Sequence, residues 1–84
     1  MNIGVEVRVI HIVSEEDIDK QELGFGIDFS NSEIEIYTLY NIDYTKPYDK
    51  NRCIVSCSGL DFIVNESYEQ LNKRINDHLT INFN

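Results

Sequence analysis

Apolar and polar residues alternate along most of the chain, and this spacing of two is the pattern of half-buried β-strands. The alternation predicts strands over residues 3–13, 25–29, 33–40, 52–57 and 60–64. Polar turn residues separate these strands at 30–32, at 47–51 and at the Ser58-Gly59 pair. That pair predicts a tight hairpin, because its glycine can take the positive φ that such turns need.

The alternation also assigns side chains to faces of the strands. In the first strand, one face is predicted to carry Ile3, Val5, Val7, Val9 and Val13. In the hairpin, the inward face is predicted to carry Cys53, Val55, Cys57, Leu60, Phe62 and Val64. Ile10 and Ile12 break the alternation, so we expect the far end of the first strand to be covered on both faces.

The strand over residues 33–40 is predicted to keep Glu33 and Glu35 in solvent. Its inward side chains are predicted to be Ile34, Ile36 and Tyr40. Ile42 and Tyr44 continue the same apolar spacing, and we expect them to extend this strand past a bend.

Two further stretches carry helix signals. After the hairpin the apolar spacing becomes three to four residues, which predicts an amphipathic helix with the stripe Tyr68, Leu71, Ile75 and Leu79. Ser67 with Gln70 has the form of a capping box, and Asn65 is a competing cap. Ser14 can cap a short acidic helix that stops at Gly24, although an ordered surface loop would also fit this stretch.

Together these elements predict a single domain over residues 1–84, of the α+β class and mostly β. We expect a small curled antiparallel sheet or open barrel of about five strands, with one C-terminal amphipathic helix closing it. A chain of this length buries only about two-thirds of its unfolded surface, so its small core leaves little room for a deep active-site cleft.

Acidic residues are concentrated in the first half of the chain, which has a net charge of −8 overall. Residues 1–42 carry nine acidic and two basic side chains, whereas residues 43–84 carry six and five. Such a charge repels free nucleic acid and attracts basic partners, although it also serves solubility alone. The candidate partner-binding residues are Glu15, Glu16, Asp17, Asp19, Glu22, Asp28, Glu33, Glu35, Tyr37 and Tyr48.

Neither a signal peptide nor a membrane span is expected, because no apolar stretch approaches the roughly 20 residues of a transmembrane helix. Cys53 and Cys57 fall on one predicted strand, roughly 13 Å apart, which is beyond the reach of a disulfide. They are therefore interpreted as buried free thiols of a cytoplasmic protein.

Metal and catalytic motifs match by count but not by spacing. Cys53, Cys57, His11 and His78 would make a zinc set, yet the cysteines are predicted to point in parallel from one strand, and the histidines are far away in sequence. A Cys–His nucleophile pair would need an exposed thiolate, whereas both cysteines are expected to face the core. We therefore expect neither a metal nor a cofactor here.

Two acidic motifs also fail a chemical test. The motif D-x-D-x-Q over residues 17–21 begins like a calcium loop, but Glu22 stands where that loop requires glycine. Glu33 and Glu35 project from one strand face without the apolar surroundings that would raise a carboxyl pKa for acid catalysis. The sequence is therefore not expected to be that of an enzyme.

One patch combines aromatic and basic residues: Tyr37, Tyr40, Tyr44 and Tyr48 with Lys46, Lys50 and Arg52. Stacking rings beside cations hold single-stranded nucleic acid. Here three cations work against a net charge of −8, and tyrosines equally suit a β core or a protein interface.

Three stretches in the second half share a pattern: I-D-Y-x-x-P at 42–47, C-I-V at 53–55 and S-G-L-D-F-I-V-N-E-S-Y-E-Q-L at 58–71. This pattern resembles very small bacterial and phage proteins of the FlbD type, which occur in flagellar operons. The resemblance covers residues 33–75 and implies a compact hairpin-plus-helix module without a known catalytic site. It says nothing about residues 1–32.

The sequence thus predicts a non-catalytic acidic module of bacterial or phage origin that binds a protein with a basic surface. One alternative is an acidic nucleic-acid mimic that inhibits a restriction enzyme, a CRISPR enzyme or a nuclease. Two others are a homo-oligomeric structural module and a weak single-stranded nucleic-acid binder.

Overall fold

A computed structural model describes the backbone of residues 4–83 and the side chains of residues 4–77. Its elements, in chain order, are β1 (Val5–Ile12), α1 (Glu15–Glu22), β2 (Glu35–Leu39), β3 (Ile42–Pro47), β4 (Cys53–Cys57), β5 (Leu60–Val64) and α2 (Tyr68–Phe83). The five strands form one antiparallel sheet in the order β2-β1-β5-β4-β3. The predicted fold class, a mostly β domain with a C-terminal helix, is confirmed.

The sheet is strongly curled, and its connectivity shows why. β2 and β3 lie at opposite edges, yet only Tyr40 and Asn41 connect them. The Cα atoms of Leu39 and Ile42 are therefore at most about 11 Å apart, whereas the edge strands of a flat five-stranded sheet would be about 19 Å apart. The sheet therefore bends until its two edges approach at this corner, without closing into a barrel.

The corner between β2 and β3 corrects one prediction. Ile42 and Tyr44 do not extend the preceding strand; they belong to β3, which pairs with β4 at the other edge. Asn41 has a φ of 56°, a left-handed conformation that asparagine tolerates better than most residues. The Cys57 thiol donates a hydrogen bond to the Tyr40 carbonyl at 3.0 Å and ties β4 to the corner.

The facing of β2 is the reverse of the prediction. Three side chains predicted to be inward are instead 53%, 64% and 51% exposed: Ile34, Ile36 and Tyr40. Leu39 is buried and Tyr37 packs against the core, because they pair with Val5 and Val7 and so share their face. Both faces of this strand are apolar, so only its pairing with β1 decides which face turns inward.

Residues 25–29 do not form the predicted strand. Backbone groups at the two ends of this stretch make local bonds instead: the Phe25 N–H donates to the Lys20 carbonyl at 2.8 Å, and the Phe29 carbonyl accepts from the Ser32 N–H at 3.1 Å. The first bond, with the Gly24 N–H to the Gln21 carbonyl, completes a Schellman motif that ends α1. The predicted stop at Gly24 is thereby confirmed, and its φ is 90°.

A β-bulge explains the broken alternation in β1. Val9 pairs with Val64 and His11 pairs with Ile63, so Ile10 is the extra residue. Ile63 is fully buried on the opposite side of the sheet from the main core, whereas Ile12 stays 37% exposed. Both faces are therefore buried at the centre of the sheet, but not at the far end of β1, where this was expected. Ile3 lies outside the described residues.

The main core lies between the concave face of the sheet and α2. Its buried members are Val7, Val9, Leu39, Cys53, Val55, Cys57, Phe62, Val64 and Leu71. The predicted hairpin is confirmed, with φ values of 54° and 80° at Ser58 and Gly59. Leu60 was predicted inward, but it is 48% exposed because it sits beside this turn.

Ser67 rather than Asn65 caps α2. Its hydroxyl accepts a hydrogen bond from the Gln70 N–H at 3.2 Å, and its carbonyl accepts from the Leu71 N–H. Within the predicted stripe, Leu71 is fully buried and Ile75 packs against the core. The Leu79 side chain lies outside the described residues.

Candidate acidic interaction surface

Helix α1 begins with a complete capping box, as the acidic stretch after Ser14 predicts. The Ser14 hydroxyl accepts from the Asp17 N–H at 3.3 Å, and the Asp17 carboxylate accepts from the Ser14 N–H at 2.8 Å. Glu15, Glu16 and Asp17 all lie in the first turn, where the helix dipole favours negative charge. The short helix, rather than the alternative loop, is therefore the structure of this segment.

Asp17 also attaches α1 to the sheet. Its Oδ2 lies 2.7 Å from Nε2 of His11, which is in β1. This hydrogen bond, with help from the Ser14 N–H, lowers the Asp17 pKa from 3.8 to about 2. Asp17 was predicted as a partner-binding residue, but its carboxylate is already committed within the chain.

The position of Asp17 defines which side of α1 faces away from the sheet. Successive residues are about 100° apart around a helix, so Glu15, Asp19 and Glu22 lie about 140–160° around the axis from Asp17. All three are exposed, and none makes a side-chain hydrogen bond or ion pair within the described residues. We call Glu15, Asp19 and Glu22 the acidic ridge. Glu16 flanks it and is exposed as well.

Of the remaining predicted acids, two accept hydrogen bonds from nearby residues and one accepts none within the described residues. Asp28 accepts from the Ser30 N–H in an Asx turn, which lowers the Asp28 pKa. Glu35 accepts from the Tyr37 hydroxyl at 3.1 Å, and this bond raises the Tyr37 pKa. Glu33 is exposed and has no such partner in the described part of the chain.

A groove of about 290 Å³ brings Glu33 and Glu35 together at one end of β2. Its other lining residues come from β1 and β2: Val9, Ile10, His11, Ile12 and Tyr37. Because His11 also contacts Asp17, this groove lies next to the base of α1. Glu33 and Glu35 therefore lie near the base of α1, whereas the acidic ridge is on the opposite side of that helix.

Exposed apolar side chains accompany these acids. Among residues 18–36, five large ones are between 48% and 75% exposed: Ile18, Leu23, Phe25, Ile34 and Ile36. Helix α1 has no buried residue at all. Two of them, Ile34 and Ile36, had been predicted to face inward, so alternation did not mark them as exposed.

Tyr48 belongs to a different cluster, which the sequence did not predict. Its ring packs edge-on against Phe29 with centroids 5.7 Å apart, and His11 does so from 6.1 Å. The Arg52 guanidinium lies 4.6 Å from the Phe29 centroid and forms an ion pair with Asp49 at 2.6 Å. Phe29 is therefore the centre of a structural cluster on the face of the sheet opposite the main core.

The aromatic and basic patch is not assembled as one stacking platform. Tyr37 lies in β2 and Tyr44 in β3, which are opposite edges of the sheet. Tyr37 packs tilted against Phe62 at 5.6 Å, and Arg52 is held by its ion pair. Lys46 lies 6.0 Å from the Tyr44 ring, and among the described side chains it is the one cation of this set that pairs with an exposed tyrosine.

The cysteines are poorly placed for chemistry. Cys53 and Cys57 are free, and their exposed fractions are 0% and 5%. Burial raises the Cys53 pKa to about 11, so its thiol stays neutral at physiological pH. Over the described residues, no three metal-ligating side chains lie together, and the His78 side chain falls outside them.

A second groove, of about 680 Å³, lies between β1 and α2. Its charged lining is balanced, with Glu6, Glu66, Asp77, Arg8, Lys73 and Arg74. Arg74 donates to both carboxylate oxygens of Glu66 and to the Glu6 carbonyl, and the hydrogen bonds to Glu66 raise the Arg74 pKa. This groove therefore offers neither sign of charge in excess.

Comparison with protein-family models, curated proteins and solved structures finds no match to this chain. The resemblance to FlbD-type proteins therefore stays a prediction. Across the part of the chain that the structure covers, no helix has the length and apolar character to cross a membrane.

Proposed function

We propose that this protein is a non-catalytic interaction module that binds a protein with a basic surface through the acidic ridge. One observation carries the proposal: three exposed carboxylates lie on the side of α1 that faces away from the sheet, and they have no partner among the residues that the structure describes. Carboxylates in solvent steer a basic partner and raise its association rate. The exposed Ile18, Leu23 and Phe25 nearby supply the apolar area that slows its dissociation.

The fold does not need α1 for its core, and this supports a binding role. No residue of α1 is buried, and the His11–Asp17 bond fixes the helix to β1 through the side opposite the ridge. Cys53 and Cys57 are buried free thiols, which agrees with a reducing cytoplasm as the place of action.

The test asks whether binding depends on where the negative charges lie or only on the net charge of the protein. A partner captured from cells that carry the gene is titrated against the wild type and a ridge variant with Glu15→Lys, Asp19→Lys and Glu22→Lys. The control makes the same change in net charge at exposed acids elsewhere, with Asp43→Lys, Glu69→Lys and Asp77→Lys. Ridge reversal is expected to weaken binding about tenfold or more at low salt. Equal losses in both variants would reject the ridge as the binding site.

A nucleic-acid mimic is the second candidate, and the geometry of the ridge favours it. Glu15, Asp19 and Glu22 repeat along the helix axis at steps of about 6 and 4.5 Å, so they form a row of negative charges as a phosphate backbone does. In that case the captured partner is a basic nuclease or restriction enzyme. Adding its nucleic acid would then release the protein, and this competition separates the two candidates.

A further inference from the structure

The two edges of the sheet differ in how they are protected. Edge strands usually carry lysine or proline, which prevent another strand from pairing with them. The β3 edge has both, in Lys46 and Pro47. The β2 edge, Glu35–Leu39, has neither and leaves Ile36 64% exposed. Of the two described edges, the β2 edge is therefore the less protected against an added strand.

The backbone of β2 is available for pairing. β2 pairs with β1 alone, so every second residue of it directs its N–H and C=O away from β1. No backbone group of another described segment bonds to these atoms. β2 also begins opposite Val9, at Glu35, whereas β1 continues to Ile12. The 290 Å³ groove lies at this step, so an added strand would find space before the start of β2.

We propose that β2 accepts an extended basic segment of the partner protein as an additional strand of the sheet. The inference rests on the proposed function and specifies the chemistry of the partner. Glu33 and Glu35 line the groove at the start of β2, so lysine or arginine side chains of the segment complement them. A second copy of this chain paired along β2 would bring no cation to these two carboxylates, because residues 33–42 contain neither lysine nor arginine.

The alternation of β2 defines the segment further. Glu35 shares a face with Tyr37 and Leu39, whereas Ile36 lies on the other face. Successive side chains of an added strand point to opposite faces. A segment that alternates apolar and basic residues can therefore place apolar side chains beside Ile36 and basic ones beside Glu35.

The probe is a labelled peptide of about ten residues that alternates valine and lysine, long enough to span β2 at about 3.3 Å per residue. Fluorescence anisotropy measures its binding, and amide hydrogen exchange locates it. We expect binding that protects β2 amides. A valine–glutamate peptide, and the valine–lysine peptide N-methylated at alternate residues, should each bind on the order of tenfold more weakly or not at all.

Two variants with the same charge change compare the edges. Ile36→Lys places a lysine on the β2 edge and is expected to weaken peptide binding about tenfold. Tyr44→Lys places one at a β3 position that is 50% exposed, against 64% for Ile36, and should leave binding unchanged. Both positions are exposed, and circular dichroism verifies that each variant folds.

Three results would overturn the inference: no binding of the basic peptide, protection outside β2, or equal loss in both variants. Protection of β2 by self-association without peptide would also overturn it, because a second copy would then be the occupant. If the captured partner is lost from the ridge variant but bound normally by Ile36→Lys, the interaction function stands and the added strand is wrong.

Discussion

Single side chains in this protein differ in role although they share a charge. Asp17 and Asp19 both lie in α1, but Asp17 caps the helix and contacts His11, whereas Asp19 is exposed and unpaired within the described residues. The role of Ser14 as the cap of α1 was visible in the sequence. The His11 contact was not, because it depends on how α1 lies against β1.

Asp17→Asn tests the structural role of that carboxylate. The Asp17 pKa is lowered in the folded protein. The ionised carboxylate therefore stabilises α1 fully above about pH 4, and this stabilisation is lost as the pH falls towards about 2. Because α1 buries no residue, the loss should appear as local opening. At pH 7 we expect the α1 amides of the variant to exchange about fivefold faster, which corresponds to about 1 kcal/mol of capping energy.

The control for Asp17→Asn is Asp19→Asn, which removes the same charge from the exposed ridge. It should leave exchange within about twofold of the wild type, since surface substitutions usually change stability by less than about 0.5 kcal/mol. In the wild type, exchange of the α1 amides, corrected for the intrinsic pH effect, should accelerate between about pH 4 and pH 2. A corrected exchange rate that stays constant over this pH range would contradict the role given to Asp17.

At the scale of elements, local signals were sufficient wherever the structure is locally determined. The β4–β5 hairpin follows from Ser58-Gly59, and both helix starts follow from their capping serines. Local signals do not predict which face of β2 turns inward, because Ile36 and Tyr37 are both apolar and only the pairing with β1 decides between them. They do not predict the break before β3 either. Residues 25–29 alternate like a strand but have no neighbouring strand to pair with.

Leu71→Ala tests the contact between α2 and the sheet. Leu71 is fully buried in the core, so the substitution should lower the free energy of unfolding by about 2–5 kcal/mol. Leu23→Ala makes the same chemical change at a side chain that is 75% exposed and should cost less than about 0.5 kcal/mol. Urea denaturation measures both, and similar losses would contradict the position of the core.

At the scale of the whole molecule, charge and core are separated. The core comes from β1, β2, β4, β5 and α2, whereas the acidic ridge lies on α1, which has no buried residue. The sequence showed that acidity belongs to the first half of the chain. Its arrangement as a ridge required the position of one side chain, Asp17, relative to the sheet.

The association rate constant of the captured partner, measured by stopped flow from about 0.02 to 0.5 M salt, tests the central proposal most directly. Steering by exposed carboxylates weakens as the Debye length falls from tens of ångströms to a few. We expect the wild-type rate constant to fall steeply over this range, and the variant with Glu15→Lys, Asp19→Lys and Glu22→Lys to lose that dependence. The same steep salt dependence in this variant and the wild type would contradict the proposal.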